Sequence, residues 1–234
     1  MYSERAVGAI EVLAKAFDDI TGSGQVELSE EHGEVFIWVF GWWAWISRSS
    51  KLVVLAHRAD LGHESIPSMR SIMEHSLVMQ WVVDTGADAI ATLSALDDER
   101  RRKLFDEVVA AGWSVSPEFN RPEPVTDPRR RKIENFGELC VSYNARSLYV
   151  PYRMLSAHVH PTAKGAAAYM SENRLADHPV QAVVGSDLAV TAVCVIQAAL
   201  TINSLLSSDL LSAAITAAQE RLGAAIDRPT LKPA

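Results

Sequence analysis

Apolar residues recur along this chain at intervals of three and four, and almost nowhere at intervals of two. From Ser3 to Ile20, the residues Val7, Ile10, Leu13, Phe17 and Ile20 fall mostly on one stripe, the spacing of an amphipathic helix, and the run stops at Thr21-Gly22-Ser23-Gly24. Ser29 with Glu30, Glu31 and Glu34 reads as a capped, acidic helix start, and the helix it opens extends to about Ala56. Trp38, Trp42, Trp43 and Trp45 wrap widely round its axis, which predicts burial on most faces. After a turn at 57–64, Ser65 caps a helix that runs to about Asp84, with Pro67 in the first turn where a missing N–H costs nothing.

Ala87 to Ala111 reads as a helix or a kinked pair, interrupted around Asp97-Asp98-Glu99. Residues 112–127, with Pro117, Pro122 and Pro124, form the one long loop. Helices follow from Asp127-Pro128 through Tyr143 and from Ser147 to His158, where His160-Pro161 ends the second. Gly165 to Asp177 is irregular or weakly helical. Asp177 then caps a long helix from about Pro179 to Leu206, and Asp209 to Ala225 supplies the last one. No Asn-Gly or Asp-Gly hairpin signal occurs. The pattern predicts an all-α fold: a single multi-helix bundle of about seven or eight helices, two of them long and central. One domain spans 1–226, and 227–234 is a flexible tail.

Composition narrows the functional classes. Across 234 residues, 48% hydrophobic and 22% charged content allows a substantial core and excludes disorder. A net charge of −7 gives no general attraction to nucleic acid or to anionic membrane. The apolar stretches 35–56 and 187–206 are interrupted by Arg48 and Lys51, and by Gln197 and Asn203, so both read as central helices and no membrane partner is expected. Cys140 and Cys194 lie in apolar surroundings without C-x-x-C spacing. Met1 to Ala9 carries Glu4 and Arg5 with no apolar signal core. Both features point to buried thiols and a cytoplasmic protein.

Candidate chemistry sits on two segments. Arg70 and Glu74 are four apart on one helix face, within reach of a salt bridge, with His75 beside them and Ile72, Met73, Leu77, Val78 and Trp81 around them. An exposed pair would be ordinary, whereas a desolvated one is costly unless it organises something else. The second segment is Tyr152-Arg153-x-x-Ser156-x-His158-x-His160-Pro161. Tyr152, Ser156 and, less closely, His160 share a side, with His158 turned away from Ser156. Imidazole suits general acid–base work, and a histidine at a helix C-terminus also serves simply to complement the dipole. Arg70, Glu74, His75, Arg153 and His158 are thus the catalytic candidates. Trp38, Trp42, Trp81, Tyr152, Ser156 and His160 are the candidates for lining a ligand pocket.

No metal or cofactor is assigned. His57, His63, Glu64, Glu74, His75, His158 and His160 supply ligand types, but no H-E-x-x-H or Glu-x-x-His spacing appears among them. The basic runs Arg100-Arg101-Arg102-Lys103 and Arg129-Arg130-Arg131-Lys132 could bind RNA phosphates. Each is followed by acidic residues, however, which fits solvated helix faces with internal ion pairs.

At Arg70-x-x-x-Glu74 and Tyr152-x-x-x-Ser156-x-His158 the chain resembles a family of all-helical bacterial proteins known as a domain of unknown function, over roughly Ala56 to Tyr169. That resemblance implies that the two helices face each other. More distantly, Arg70…His75 and Arg153…His158 resemble the Arg-x4-6-His motif of HEPN domains, as does Arg58…His63. The residue after the Arg, commonly polar there, is Ser71, Met154 or Ala59 here. The HEPN resemblance implies a homodimeric, metal-independent ribonuclease of a toxin or defence system. In it, His would assist attack by the ribose 2′-hydroxyl and Arg would stabilise the phosphorane. Two other readings stay open: a small-molecule binding or sensing module with a Trp-lined pocket, and a helical interaction protein whose polar cluster only fixes helix register.

Overall fold

The segment Ile66–Thr85 buries ten of its twenty residues, including Met69, Ile72, Met73, Leu77, Met79 and Trp81. A helix that is apolar on most sides must be surrounded by others, and this one is. The computed structural model describes residues 2–24, 26–28, 32–116, 118–124, 127–171, 174–176, 178–180 and 185–232. In chain order the helices are α1 (Tyr2–Ser23), α2 (Gly33–Arg58), α3 (Ile66–Thr85), α4 (Ala87–Ala110), α5 (Arg130–Glu134), α6 (Phe136–Ser142), α7 (Arg146–Val159) and α8 (Ala163–Ala167). A two-residue ribbon, β1 (Met170–Ser171) with β2 (Arg174–Leu175), precedes α9 (Gly185–Asn203) and α10 (Ser212–Leu222). The all-helical architecture is as the periodicity predicts. The described residues hold ten helices, against the seven or eight expected.

α3 packs against α2, α7 and α9, and α1 against α2, α9 and α10. The core joins Ile10, Leu13 and Phe17 of α1 to Trp43 and Ile46 of α2, Met73 and Leu77 of α3, and Ile196 and Ile202 of α9. Burying each such side chain stabilises the fold by about 1.5–3 kcal/mol. One polar thread crosses it: Thr201 Oγ1 donates to Gln80 Oε1 at 3.0 Å, and Gln80 Nε2 donates to Asp84 Oδ1 at 2.8 Å.

Several boundaries differ from the sequence reading, each for a local reason. α4 does not break at Asp97-Asp98-Glu99, because the acids pair forward along the helix. Asp98 meets Arg101 at 3.3 Å, and Glu99 meets Arg102 at 2.7 Å and Lys103 at 3.6 Å. The expected helix through Tyr143 is split into α5 and α6 at Asn135. That residue is extended (φ −117°, ψ 96°), and its Oδ1 caps α6 by accepting from Gly137 N at 3.0 Å. α9 begins at Gly185 and not near Pro179, since Val180 N turns back to Ala168 O at 2.7 Å. The expected caps at Ser29, Glu30, Glu31 and Asp177 lie outside the described residues.

α2 is not buried on most faces. Trp43 is, Trp38 and Trp42 are half-buried, and Trp45 is exposed. Residues 227–232 lie along the bundle: Leu231 packs on the core, Arg228 Nη1 donates to Ser204 Oγ at 2.8 Å, and Lys232 N donates to Ser142 O at 2.9 Å. Among the described residues no helix is long and apolar enough to cross a membrane.

Candidate functional site

α3 and α7 run antiparallel, so the start of one faces the end of the other. Four residues of α3 place Arg70 and Glu74 on adjacent turns of the face that α7 covers. Arg70 Nη2 donates to Glu74 Oε1 at 3.2 Å and also to the Tyr152 hydroxyl, while Tyr152 donates to the same Glu74 oxygen at 2.5 Å. The guanidinium carbon lies 4.6 Å from the centre of the Tyr152 ring. Phe136 packs on that ring at 4.4 Å. Burial raises the Tyr152 phenol above its ordinary range, helped by its bond to Glu74 and opposed by Arg70. The cluster therefore holds its proton on Tyr152. It is closed on itself, except that Arg70 Nε is buried without a partner.

The same seam repeats the motif at both ends. Tyr143 donates to Asp84 Oδ2 at 2.7 Å, and Tyr169 donates to Glu64 Oε1 at 2.5 Å. Carboxylates at 64, 74 and 84 thus each take a phenol proton. The middle one alone also carries a guanidinium.

At the Glu64 end the seam opens into a cleft of about 730 Å³, lined among others by His63, Glu64, His158, His160 and Tyr169. The His63 and His158 rings meet edge to face with centres 4.9 Å apart, and Tyr169 meets His63 likewise at 5.7 Å. His158 Nδ1 is buried with no hydrogen-bond partner. Burial holds this imidazole below its ordinary range, with further lowering by the positive charge of His63 and Lys164. Thr162 builds the cleft floor by capping α8, its Oγ1 accepting from Gly165 N at 3.0 Å.

The sequence candidates divide between these places. Arg70, Glu74 and Tyr152 come together, while His158 and His160 line the cleft. His75 joins neither: its ring stacks on Trp45 of α2 at 4.3 Å and 15°, with Nδ1 2.8 Å from Ser71 O. Arg153 is exposed and reaches the Tyr149 hydroxyl at 3.4 Å. Ser156 donates back to Tyr152 O at 2.7 Å. The tryptophans do not surround the Arg70 cluster. Trp38 and Trp42 pair with each other at 6.0 Å on α2, and Trp81 is buried in the core.

The basic runs are largely neutralised, with Arg101, Arg102 and Lys103 paired to Asp98, Glu99 and Asp106, and Arg129, Arg130 and Arg131 paired to Asp88, Asp127, Glu134 and Glu138. Among the described residues, no group of three or more His, Cys, Asp or Glu side chains could hold a metal ion.

The sequence reading missed Lys164 and Tyr169. Neither stands in a motif, and the turn through Thr162-x-x-Gly165 brings Lys164 near His158 and Tyr169 to His63 and Glu64. The chain matches no protein-family profile, no curated protein and no solved structure.

Proposed function

We propose that this chain is a binding or sensing module for a small ligand bearing an oxyanion, carboxylate or phosphate, held in the cleft that His63 and His158 line together. The observation that carries this reading is the buried, unpartnered Nδ1 of His158 beside an open cleft. Leaving such an atom unpaired costs about 1–3 kcal/mol, which a ligand oxygen would recover once the ring turns that edge towards the cleft. His63, His158 and His160 offer ring N–H donors along the cleft, Lys164 adds positive charge near His158, and the Glu64 carboxylate that also lines it is engaged by the Tyr169 hydroxyl, so an oxyanion suits these donors. A volume of about 730 Å³ lies within the range of small-molecule sites. Arg70, Glu74 and Tyr152 act here as a latch that fixes α3 against α7 and so holds the cleft walls in register.

Calorimetric titration with inorganic phosphate and with a small dicarboxylate tests the proposal. One of them should bind, more tightly near pH 5 than near pH 8, because the lowered His158 imidazole takes up its charge only on the acid side of the ordinary value. His158→Ala should remove the binding. Silence from both anions at either pH contradicts it.

A second reading, metal-independent RNA cleavage, is favoured by the paired imidazoles. One neutral ring would take the 2′-hydroxyl proton and one protonated ring would give a proton to the leaving oxygen. His63 and His158 would carry it, in place of either Arg–His pair. Cleavage of RNA in EDTA that either His→Ala change abolishes would establish this reading, and intact RNA would exclude it.

A further inference from the structure

The face of α2 turned away from the bundle is apolar and open. The residues it buries, Val39, Trp43, Ile46, Ser47, Ser50, Val53 and Val54, meet α1, α3 and α9. On the other side Ile37, Trp45, Leu52 and Leu55 are 71%, 38%, 54% and 63% exposed. Open space stands where a side chain at Gly41 would be. Isolated exposed leucines need no explanation, but a continuous stripe along one helix does. Positions 38, 41, 45, 48, 52 and 55 follow at alternating steps of three and four, the seam spacing of a two-stranded coiled coil. Trp45 gives one ring face to His75 and so turns the other outward. Arg48, in the middle of the stripe, is exposed.

We propose that this stripe binds a second copy of the chain, α2 against α2, running antiparallel. The register that covers the seam from end to end sets Trp45 of each copy opposite Arg48 of the other, twice about the two-fold axis. It also sets Gly41 opposite Leu52 and Trp38 opposite Leu55. Each guanidinium then lies against an outward tryptophan face, an arrangement with its own attraction. The leucine fills the gap at the glycine.

Charge selects this direction. Antiparallel packing brings Glu34 at one end towards the basic end of the second copy's helix, where Arg58 already pairs with Glu11 of its own chain at 2.6 Å. A parallel pair would face Arg48 with Arg48 and Glu34 with Glu34, like charges along the seam. From Trp38 to Leu55 the seam offers a contact line of about 26 Å.

Sedimentation of the full chain should give a species of twice 25.6 kDa. Leu52→Glu with Leu55→Glu should weaken the dimer about 100-fold or more, since each copy would then place two unpaired carboxylates in an apolar seam. Cysteine cross-linking reads the direction. Gly41→Cys or Leu52→Cys alone should form no interchain disulfide, whereas the double variant should be captured as a covalent dimer under mild oxidation. Native Cys140 and Cys194 are buried and stay out of this reaction. A monomer at high concentration overturns the proposal, and so does a dimer unaffected by the two glutamates. Cross-linking by either single cysteine variant overturns the antiparallel register.

Discussion

Tyr152 gives its hydroxyl proton to Glu74 at 2.5 Å while accepting one from Arg70, so a single phenol on α7 bonds both halves of an ion pair on α3. The ion pair alone would be an ordinary contact between helical neighbours. With the phenol inserted, neither charge can reorient without losing the other helix.

Removing that hydroxyl should therefore cost more than a surface bond. Tyr152→Phe is expected to lower stability by about 1–2 kcal/mol, the upper range for a hydrogen bond to a charged group reduced by partial exposure. Replacing both charges, Arg70→Met with Glu74→Leu, should cost less than either single change, because each single change strands the other charge. Urea unfolding of the unaltered chain, both single variants and the double variant measures this, and additive single effects would show that Arg70 and Glu74 do not act as a unit.

His158 should titrate below the ordinary imidazole value near 6.5, for burial and its cationic neighbours disfavour the charged form. As pH falls the unfolded chain takes up this proton first. The stability contribution is thus present above about pH 6.5 and lost as pH drops through the folded-state value. Lys164→Gln and His63→Asn should each move the His158 value upward in an NMR titration. An unchanged value in both variants would remove the electrostatic account of the cleft.

Both thiols should be inert in the native state. Burial pushes Cys140 and Cys194 up to about 12, so little thiolate exists near neutral pH. A maleimide should label neither before unfolding and both afterwards. Labelling of either residue in the folded protein would contradict the packing of α6 and α9.

Gly86 joins α3 to α4 with φ +65° and ψ −138°, a conformation that side-chain-bearing residues avoid. Gly86→Ala should cost about 1–3 kcal/mol. An unchanged melting temperature would mean that the two helices meet by another turn.

Much of the fold was legible because helical periodicity is local. The spacing of Val7, Ile10, Leu13 and Phe17, or of the apolar run in α3, depends only on near neighbours. The Arg70–Glu74 pair was readable for the same reason, since four residues return to one face. By that geometry His75 stands about 100° from Glu74, and an Arg five positions before a His stands about 140° away from it on a continuous helix. Such pairs diverge, as Arg70 and His75 do towards α7 and α2. Asn135 with Glu138 carried a readable capping signal inside what looked like one helix. The cleft was not legible. Its walls come from the turn before α3, the end of α7 and the residues around α8, and no spacing links His63, His158 and Tyr169.

The central claim is that His158 and His63 together face a site for an oxyanion. It is tested most directly by following their ring resonances while inorganic phosphate is added near pH 5, on the acid side of the ordinary imidazole value because His158 is lowered from it. Both rings should shift together and saturate with a dissociation constant no weaker than about 1 mM, with no such response in His158→Ala. Rings that stay unmoved, or that drift linearly like an exposed histidine such as one at a surface turn, would contradict the account.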